Sequence, residues 1–78
     1  MIGMILKNMR LNSGLSQRAL GEKLNLADAT ISSYERKNSQ ADFNTILKIV
    51  KICGFEVLIK DPNNKIMTVK EILMEQDI

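Results

Sequence analysis

Short polar side chains are concentrated in one stretch, residues 27–36, whose spacing predicts a helix. Many side chains of this stretch are short, and in the following set all but Ala29 can donate or accept a hydrogen bond: Asp28, Ala29, Thr30, Ser32 and Ser33. A helix with such a face can fit closely against a surface that presents donors and acceptors, and the major groove of DNA is such a surface. We predict that these five residues read bases, and that Ala29 or the methyl group of Thr30 touches a thymine methyl.

The chain lacks the groups on which most enzymatic catalysis depends. It contains no histidine, which removes the usual general base and the commonest metal ligand. Cys53 is the single cysteine, so neither an intrachain disulfide nor a standard zinc site can form. No set of base, nucleophile and metal ligands remains, so the sequence predicts a protein that is not an enzyme and uses no metal or cofactor.

Two short helices joined by a tight turn are predicted to position the polar face. Ser16 can cap the first of them by accepting a backbone amide, and Leu20 and Leu24 recur one turn apart. Asn25 follows, and asparagine tolerates the left-handed backbone that such a turn requires. In the second helix, three apolar residues form a narrow stripe that is predicted to face inward: Ala27, Ile31 and Tyr34.

These residues resemble the Cro/repressor-like helix-turn-helix family, often called XRE. The matching residues cover about two thirds of the chain and are Arg10, Gly14-Leu15-Ser16-Gln17, Leu20, Leu24, Ile31-Ser32, Glu35, Ile46-Leu47, Ile49-Val50 and Gly54. The resemblance implies a domain that binds double-stranded DNA with residues 27–36 as its recognition helix. It also implies that Arg10 pairs with Glu35 and ties the first helix to the recognition helix. From the residues alone, Arg10 can also be read as a cation that is favoured at a helix C-terminus.

Contacts to DNA phosphates are predicted for two further groups of residues. Ser16 and Gln17 lie at a helix start, where free backbone amides favour anions, and in the family this glutamine also supports the first residues of the recognition helix. The residues that follow the recognition helix can also donate to phosphates, and those assigned to it are Arg36, Lys37, Asn38, Ser39 and Gln40. The alternative interpretations are that Gln17 is a solvated surface amide and that residues 37–41 form a plain polar connector.

The remaining helices follow from apolar spacing and end signals. Residues 2–13 are predicted to form the first helix, with Gly14 as a left-handed cap. Residues 42–53 are predicted to form the fourth, which begins at Asp42 and ends at Gly54. The predicted fold is mainly α: a four-helix Cro/repressor-like helix-turn-helix domain, residues 1–54, with residues 55–78 as an extension of the same domain.

At the start of the extension, the spacing of the apolar residues changes from that of a helix to that of a strand. Residues 55–60 are aromatic and β-branched, with Phe55, Val57 and Ile59 on one face, and Asp61-Pro62-Asn63-Asn64 is a strong turn signal. Residues 55–67 are therefore predicted to form a β-hairpin. Thr68 and Glu71 match a capping box, which predicts a short last helix over residues 69–76, and a longer second strand is the alternative.

The hairpin is predicted to need a partner, because an isolated two-stranded hairpin is marginally stable in water. Its copy in a second chain is the simplest partner, and DNA readers of this fold bind two half-sites about 34 Å apart as dimers. The predicted dimerisation residues are Phe55, Val57, Leu58, Ile59, Ile66 and Met67. The alternative is that the hairpin packs on the fourth helix of its own chain. The pattern of the extension also resembles the C-terminal strand of some dimeric antitoxins.

Charge is unevenly distributed along the 78 residues. Residues 1–54 hold eight Lys/Arg and four Asp/Glu, whereas residues 55–78 hold three Lys and five Asp/Glu. A basic first part suits a polyanion such as DNA. There is neither a charged leader with an apolar run nor an apolar run of membrane-spanning length, and a lone cysteine suits a reducing compartment. These features predict a cytoplasmic protein with no membrane partner.

Three functions remain open at this point. The first is a sequence-specific transcriptional regulator, a homodimeric repressor that binds a palindromic operator. The second is an antitoxin that binds DNA and also a toxin, for which the acidic extension and its apolar residues are the hint. The third is a protein-interaction module that has lost DNA binding, because Asp28 stands where a recognition helix often has Gln or Asn. Asp repels phosphates, but it can accept a hydrogen bond from cytosine N4.

Overall fold

A computed structural model of the chain describes residues 1–36, 41–69 and 71–72. In these ranges four helices precede a two-stranded antiparallel hairpin: α1 (Ile2–Asn12), α2 (Gln17–Leu24), α3 (Asp28–Arg36), α4 (Phe43–Ile52), β1 (Leu58–Lys60) and β2 (Ile66–Thr68). The mainly α fold with a following hairpin is therefore confirmed. None of the helices in the described ranges is long and apolar enough to cross a membrane.

Helix ends follow the predicted polar caps and left-handed residues. Ser16 caps α2, where its Oγ accepts a hydrogen bond from the amide of Ala19 at 2.9 Å. Asp42 caps α4, where its Oδ1 accepts one from the amide of Thr45 at 2.8 Å. α1, α2 and α4 each end with the paired backbone hydrogen bonds of a Schellman motif, which needs a left-handed residue just past the helix. That residue is Gly14, Asn25 or Gly54, with φ of 76°, 57° and 81°. Local sequence alone therefore determines these three turns.

The core forms where the four helices meet. Its three most deeply buried side chains are Leu20, Ile31 and Ile49, one each from α2, α3 and α4. The other buried members of this cluster are Leu6, Met9, Val50 and Cys53. Because burying one such aliphatic side chain stabilises a fold by about 1.5–3 kcal/mol, this cluster fixes how α3 sits on the other helices.

The predicted inward stripe of α3 is only partly correct. Ile31 is buried and Tyr34 packs against the core, but Ala27 is exposed. Ala27 precedes the first residue of α3, and its carbonyl accepts the first hydrogen bonds of the helix, from the amides of Thr30 and Ile31. It therefore belongs to the turn before α3, where its side chain is exposed.

The hairpin is shorter than the predicted residues 55–67, because β1 begins at Leu58. The amide of Phe55 instead donates to the carbonyl of Val50 and closes the Schellman motif of α4. Phe55 and Val57 are thus placed in the link between α4 and β1, and the prediction that they lie in a strand is wrong. β1 and β2 pair Leu58 with Thr68, Ile59 with Met67 and Lys60 with Ile66.

The structure also describes the start of the predicted last helix. The hydroxyl of Thr68 accepts the backbone amide of Glu71 at 3.1 Å, as a capping residue does. Val69, Glu71 and Ile72 are helical. The remainder of the predicted helix, residue 70 and residues 73–76, lies outside the described residues.

α1 and α3 approach each other closely at Gly3. A Cβ atom built on Gly3 would overlap the backbone carbonyl of Glu35 and lie 2.8 Å from the carbonyl oxygen of Tyr34. These are backbone atoms of a packed helix, which cannot move aside as a flexible side chain can. Glycine is therefore required at this position by packing, whatever its cost in helix propensity.

Gly3→Ala should lower the free energy of unfolding by about 1–3 kcal/mol, because the added methyl group forces α1 away from α3. The better helix propensity of alanine, about 1 kcal/mol, acts in the opposite direction and only partly offsets this cost. Urea unfolding measures the difference. Met4→Ala is the matched control, since Met4 is the next residue of α1 and its side chain is 67% exposed. Equal stability of Gly3→Ala and the parent would contradict the close approach.

Candidate nucleic-acid interface

The polar side of α3 is accessible from its first residue onward. Asp28 and Ala29 are exposed, and Ser32 and Ser33 are half-buried. At 100° per residue these four positions share one side of the helix, and the buried Ile31 lies off that side, toward the core. Thr30, also half-buried, lies beside this face and not on it. α3 therefore presents a continuous face of short side chains.

The predicted pair of Arg10 and Glu35 is present and buried. Arg10 Nε donates to Glu35 Oε2 at 2.6 Å, and Arg10 Nη2 donates to Glu35 Oε1 at 3.1 Å. The two residues are 6% and 8% exposed. The third nitrogen of the guanidinium, Nη1, donates to the carbonyl of Leu15 at 2.9 Å. One side chain of α1 thus holds both α3 and the turn that precedes α2.

Gln17, the first residue of α2, joins this pair. Its amide Nε2 donates to Glu35 Oε1 at 3.1 Å, so the carboxylate accepts hydrogen bonds from two different helices. The family resemblance implied that this glutamine supports the first residues of the recognition helix. In this structure its partner is Glu35, near the end of α3, because the carboxylate is the strongest acceptor within its reach.

The surroundings of Glu35 keep the pair charged. Burial by itself raises the pKa of the Glu35 carboxyl, but hydrogen bonds from Arg10 and Gln17 and the charge of Arg10 outweigh burial and lower that pKa below its usual range. The hydrogen bond to Glu35 raises the pKa of Arg10 above its ordinary value against the opposing effect of burial. Both side chains are therefore ionised at neutral pH, and each neutralises the other.

The residues predicted to contact DNA phosphates are described only in part. Ser16 is exposed and caps α2 through its hydroxyl oxygen. Arg36 is exposed at the end of α3, where its Nε donates to the carbonyl of Ser32 at 3.4 Å. The predicted contacts of Lys37, Asn38, Ser39 and Gln40 lie outside the described residues.

The predicted dimerisation residues divide into two groups. Phe55, Leu58, Ile59 and Ile66 are between 43% and 58% exposed. Met67 is buried, and Val57 is half-buried against the core of its own chain. Met67 does not share an outward surface with Leu58 and Ile66, because the register places it opposite Ile59, on the other face of the hairpin.

Comparison with known protein families shows the family to which this domain belongs. Residues 6–58 match the helix-turn-helix family HTH_3 over a range that runs from α1 to the start of β1. The chain belongs to this family. HTH_3 is a family of DNA-binding helix-turn-helix domains of the XRE type, so the resemblance found from the residues is confirmed at the level of the family. α2 and α3, joined by the turn at Asn25, are the two helices of the helix-turn-helix.

One relative among curated proteins is the HTH-type transcriptional regulator ImmR of Bacillus subtilis (strain 168). It is 38% identical over 48 residues, which is 62% of this chain and 38% of the relative. The chain therefore spans less than two fifths of the length of the relative that it matches. No solved structure matches the chain.

Proposed function

We propose that the chain is a sequence-specific DNA-binding transcriptional regulator that reads its operator with the polar face of α3. The observation that carries this proposal is an open face of short side chains on a recognition helix held rigidly by the buried Arg10–Glu35 pair. Rigid support matters because base readout requires the helix to enter the groove at a fixed depth. The printed name of ImmR, a transcriptional regulator, supports the regulatory role.

Each residue of the face has a chemical role in this proposal. The carboxylate of Asp28 can accept from the N4 amino group of cytosine, and the positive N-terminal end of α3 favours this charge. The hydroxyl of Ser33 can donate or accept, so it reads a base edge, while Ser32 reaches either a base or a phosphate. Ala29 and the Thr30 methyl provide the apolar contact to a thymine methyl.

Phosphate contacts fix the position of the domain in this proposal. One hydrogen of the Gln17 amide is used by Glu35, and the second can donate to a phosphate at the start of α2, where free backbone amides also point outward. Arg36 and residues 37–40 are proposed to supply further phosphate contacts. Gln17 would thereby link a phosphate directly to the carboxylate that holds α3.

The proposed regulator acts as a homodimer that joins through the hairpin. Leu58 and Ile66 share one face of the two-stranded sheet, and both are more than half exposed. Val57, in the link before β1, packs against the core of its own chain, and the hairpin face that carries Leu58 and Ile66 is available for a second copy. A dimer would present two copies of α3 to the two halves of a palindromic operator.

Selection of bound sites from random DNA, followed by salt titration of the best site, tests the proposed function. We expect a preferred sequence, and we expect the logarithm of the binding constant to fall linearly with the logarithm of salt, by about 0.9 for each phosphate contacted. A chain that binds no DNA even at low salt would contradict the proposal and favour a protein-interaction module.

Ser33→Ala should change which base pair is preferred at one operator position, by about 1–3 kcal/mol, because a hydroxyl that reads a base edge is lost. Asp28→Asn should do the same at a different position, since an amide can donate where the carboxylate only accepts. Binding to all single-base variants of the selected operator measures both effects. Gln17→Ala is the control, because loss of a phosphate contact weakens all variants alike. A uniform loss for Ser33→Ala would show that this face does not read sequence.

A further inference from the structure

A basic surface lies away from the polar face of α3. A shallow cavity of about 340 Å³ is formed by the end of α2 and the second half of α4, and its lining residues are Lys23, Leu24, Asn25, Lys48, Lys51 and Ile52. We call this surface the lysine groove. It lies at the opposite end of α2 from Gln17, and its described lining includes no residue of α3. The lysine groove is therefore distinct from the proposed DNA-reading face.

The lysine groove combines uncompensated charge with an apolar floor. The ion pairs found among the described residues are Arg10–Glu35 and Arg18–Glu22, so none of the three lysines has an ion-pair partner there. All three lysines are exposed, while Leu24 and Ile52 between them are half-buried. Like charges this close repel one another, and the apolar floor favours a ligand that also carries apolar side chains. The complementary ligand is an acidic segment with aliphatic residues.

Residues 71–78 of the chain have this composition. We call them the acidic segment: it contains Glu71, Glu75 and Asp77, no Lys or Arg, and four aliphatic or Met residues. Val69, two residues before the segment, lines a neighbouring cavity of about 300 Å³ together with Lys51, so the chain enters the segment from beside the groove. Lys51 also lines the lysine groove, so the two cavities meet at one side chain. Residues 73–78 can reach about 20 Å when extended, which is enough to cross the groove.

We propose that the acidic segment docks in the lysine groove of its own chain. Its carboxylates would pair with Lys23, Lys48 and Lys51, and its aliphatic side chains would cover Leu24 and Ile52. Docking neutralises a basic surface that cannot read sequence, so that the remaining positive charge attracts DNA toward α3. The consequence for DNA rests on the proposed function, whereas the docking itself does not.

Paramagnetic broadening in NMR spectra tests the docking. A nitroxide is attached to Gln76→Cys in a Cys53→Ala background, and the backbone amides of the full chain are observed without DNA. We expect residues 23–25 and 48–52 to lose most of their signal intensity, and the Lys48→Glu/Lys51→Glu double variant to restore it. Lys60→Glu/Lys65→Glu, which makes the same change of charge in the hairpin, should leave the broadening intact.

Two outcomes would overturn the docking. One is intact signals for the groove residues in the spin-labelled chain. The other is broadening that appears when spin-labelled chains are mixed with separate isotope-labelled chains and is absent within one chain, which would assign the groove to a second copy. Because no DNA is present, neither outcome depends on whether the proposed function is right.

A cycle of charge variants tests whether the docked acidic segment shields the groove lysines from DNA. In the parent chain, Lys48→Gln/Lys51→Gln should leave the salt dependence of non-specific DNA binding unchanged, because the two lysines are already paired. In a Glu75→Gln/Asp77→Asn background, the same lysine changes should reduce the slope by up to about 0.9 per lysine. Equal effects in both backgrounds would mean that the acidic segment and the lysines do not interact, and would overturn the shielding.

Discussion

Glu35→Ala should lower the free energy of unfolding by about 3–5 kcal/mol, because it leaves the guanidinium of Arg10 buried without its partner. Arg10 is 6% exposed and cannot reach solvent without opening the contact between α1 and α3. In a domain of this size, each kcal/mol shifts the melting temperature by about 4–8 °C, so the loss will be large in a thermal scan. Circular dichroism during heating and urea titration measure it.

A matched control separates burial from charge. Glu22→Ala removes the carboxylate of the other ion pair, Arg18–Glu22, whose side chains are mostly exposed. An exposed pair of this kind contributes at most about 1 kcal/mol, so this variant should melt close to the parent. If Glu35→Ala also melted close to the parent, the buried pair would not hold α3 in place.

The same pair makes stability depend on pH in a predictable direction. The pKa of Glu35 is lower in the folded chain than its usual value of about 4.3, so the ionised carboxylate stabilises the fold above that pH. This contribution is lost as the pH falls through the folded-state pKa. Glu35→Gln keeps the shape without the charge, so its stability should vary less with pH in this acidic window. An identical acid profile for both chains would contradict the assignment.

Leu58→Lys/Ile66→Lys should convert the proposed dimer to a monomer and weaken operator binding by about 10²- to 10⁴-fold. Dimerisation makes the second half-site contact intramolecular, and this gain in effective concentration disappears when the subunits separate. Both side chains are more than half exposed in the described chain, so the lysines do not disturb its core. Sedimentation and titration of the selected palindromic site measure the two effects together.

Phe43→Lys is the control for this variant. Phe43 is 59% exposed at the start of α4, outside the hairpin, so its replacement should leave a hairpin dimer intact. Dimers that persist in Leu58→Lys/Ile66→Lys would contradict the hairpin interface. A parent chain that is monomeric and still binds DNA would leave the apolar hairpin face for a different protein, as the antitoxin interpretation requires.

The four helices and their ends could be predicted from local sequence. Apolar spacing defines each helix, and the chemistry of a few residues fixes where it begins or stops, because capping and left-handed turns depend on neighbours within a few positions. Ser16, Asp42, Gly14 and Asn25 all act as predicted. The pairing of Arg10 with Glu35 was accessible through the family resemblance, because both partners stand at the positions that the motif requires.

The groups that meet across helices could not be predicted in this way, because they depend on how the helices pack. Gln17 binds Glu35 near the end of α3, and the side chain of Met67 is buried in its own chain. Both outcomes depend on how the packed elements are oriented. The need for glycine at position 3 arises from backbone atoms of α3, more than thirty residues away in the sequence. The lysine groove likewise exists only because the ends of α2 and α4 lie side by side. The local sequence of neither helix predicts this arrangement.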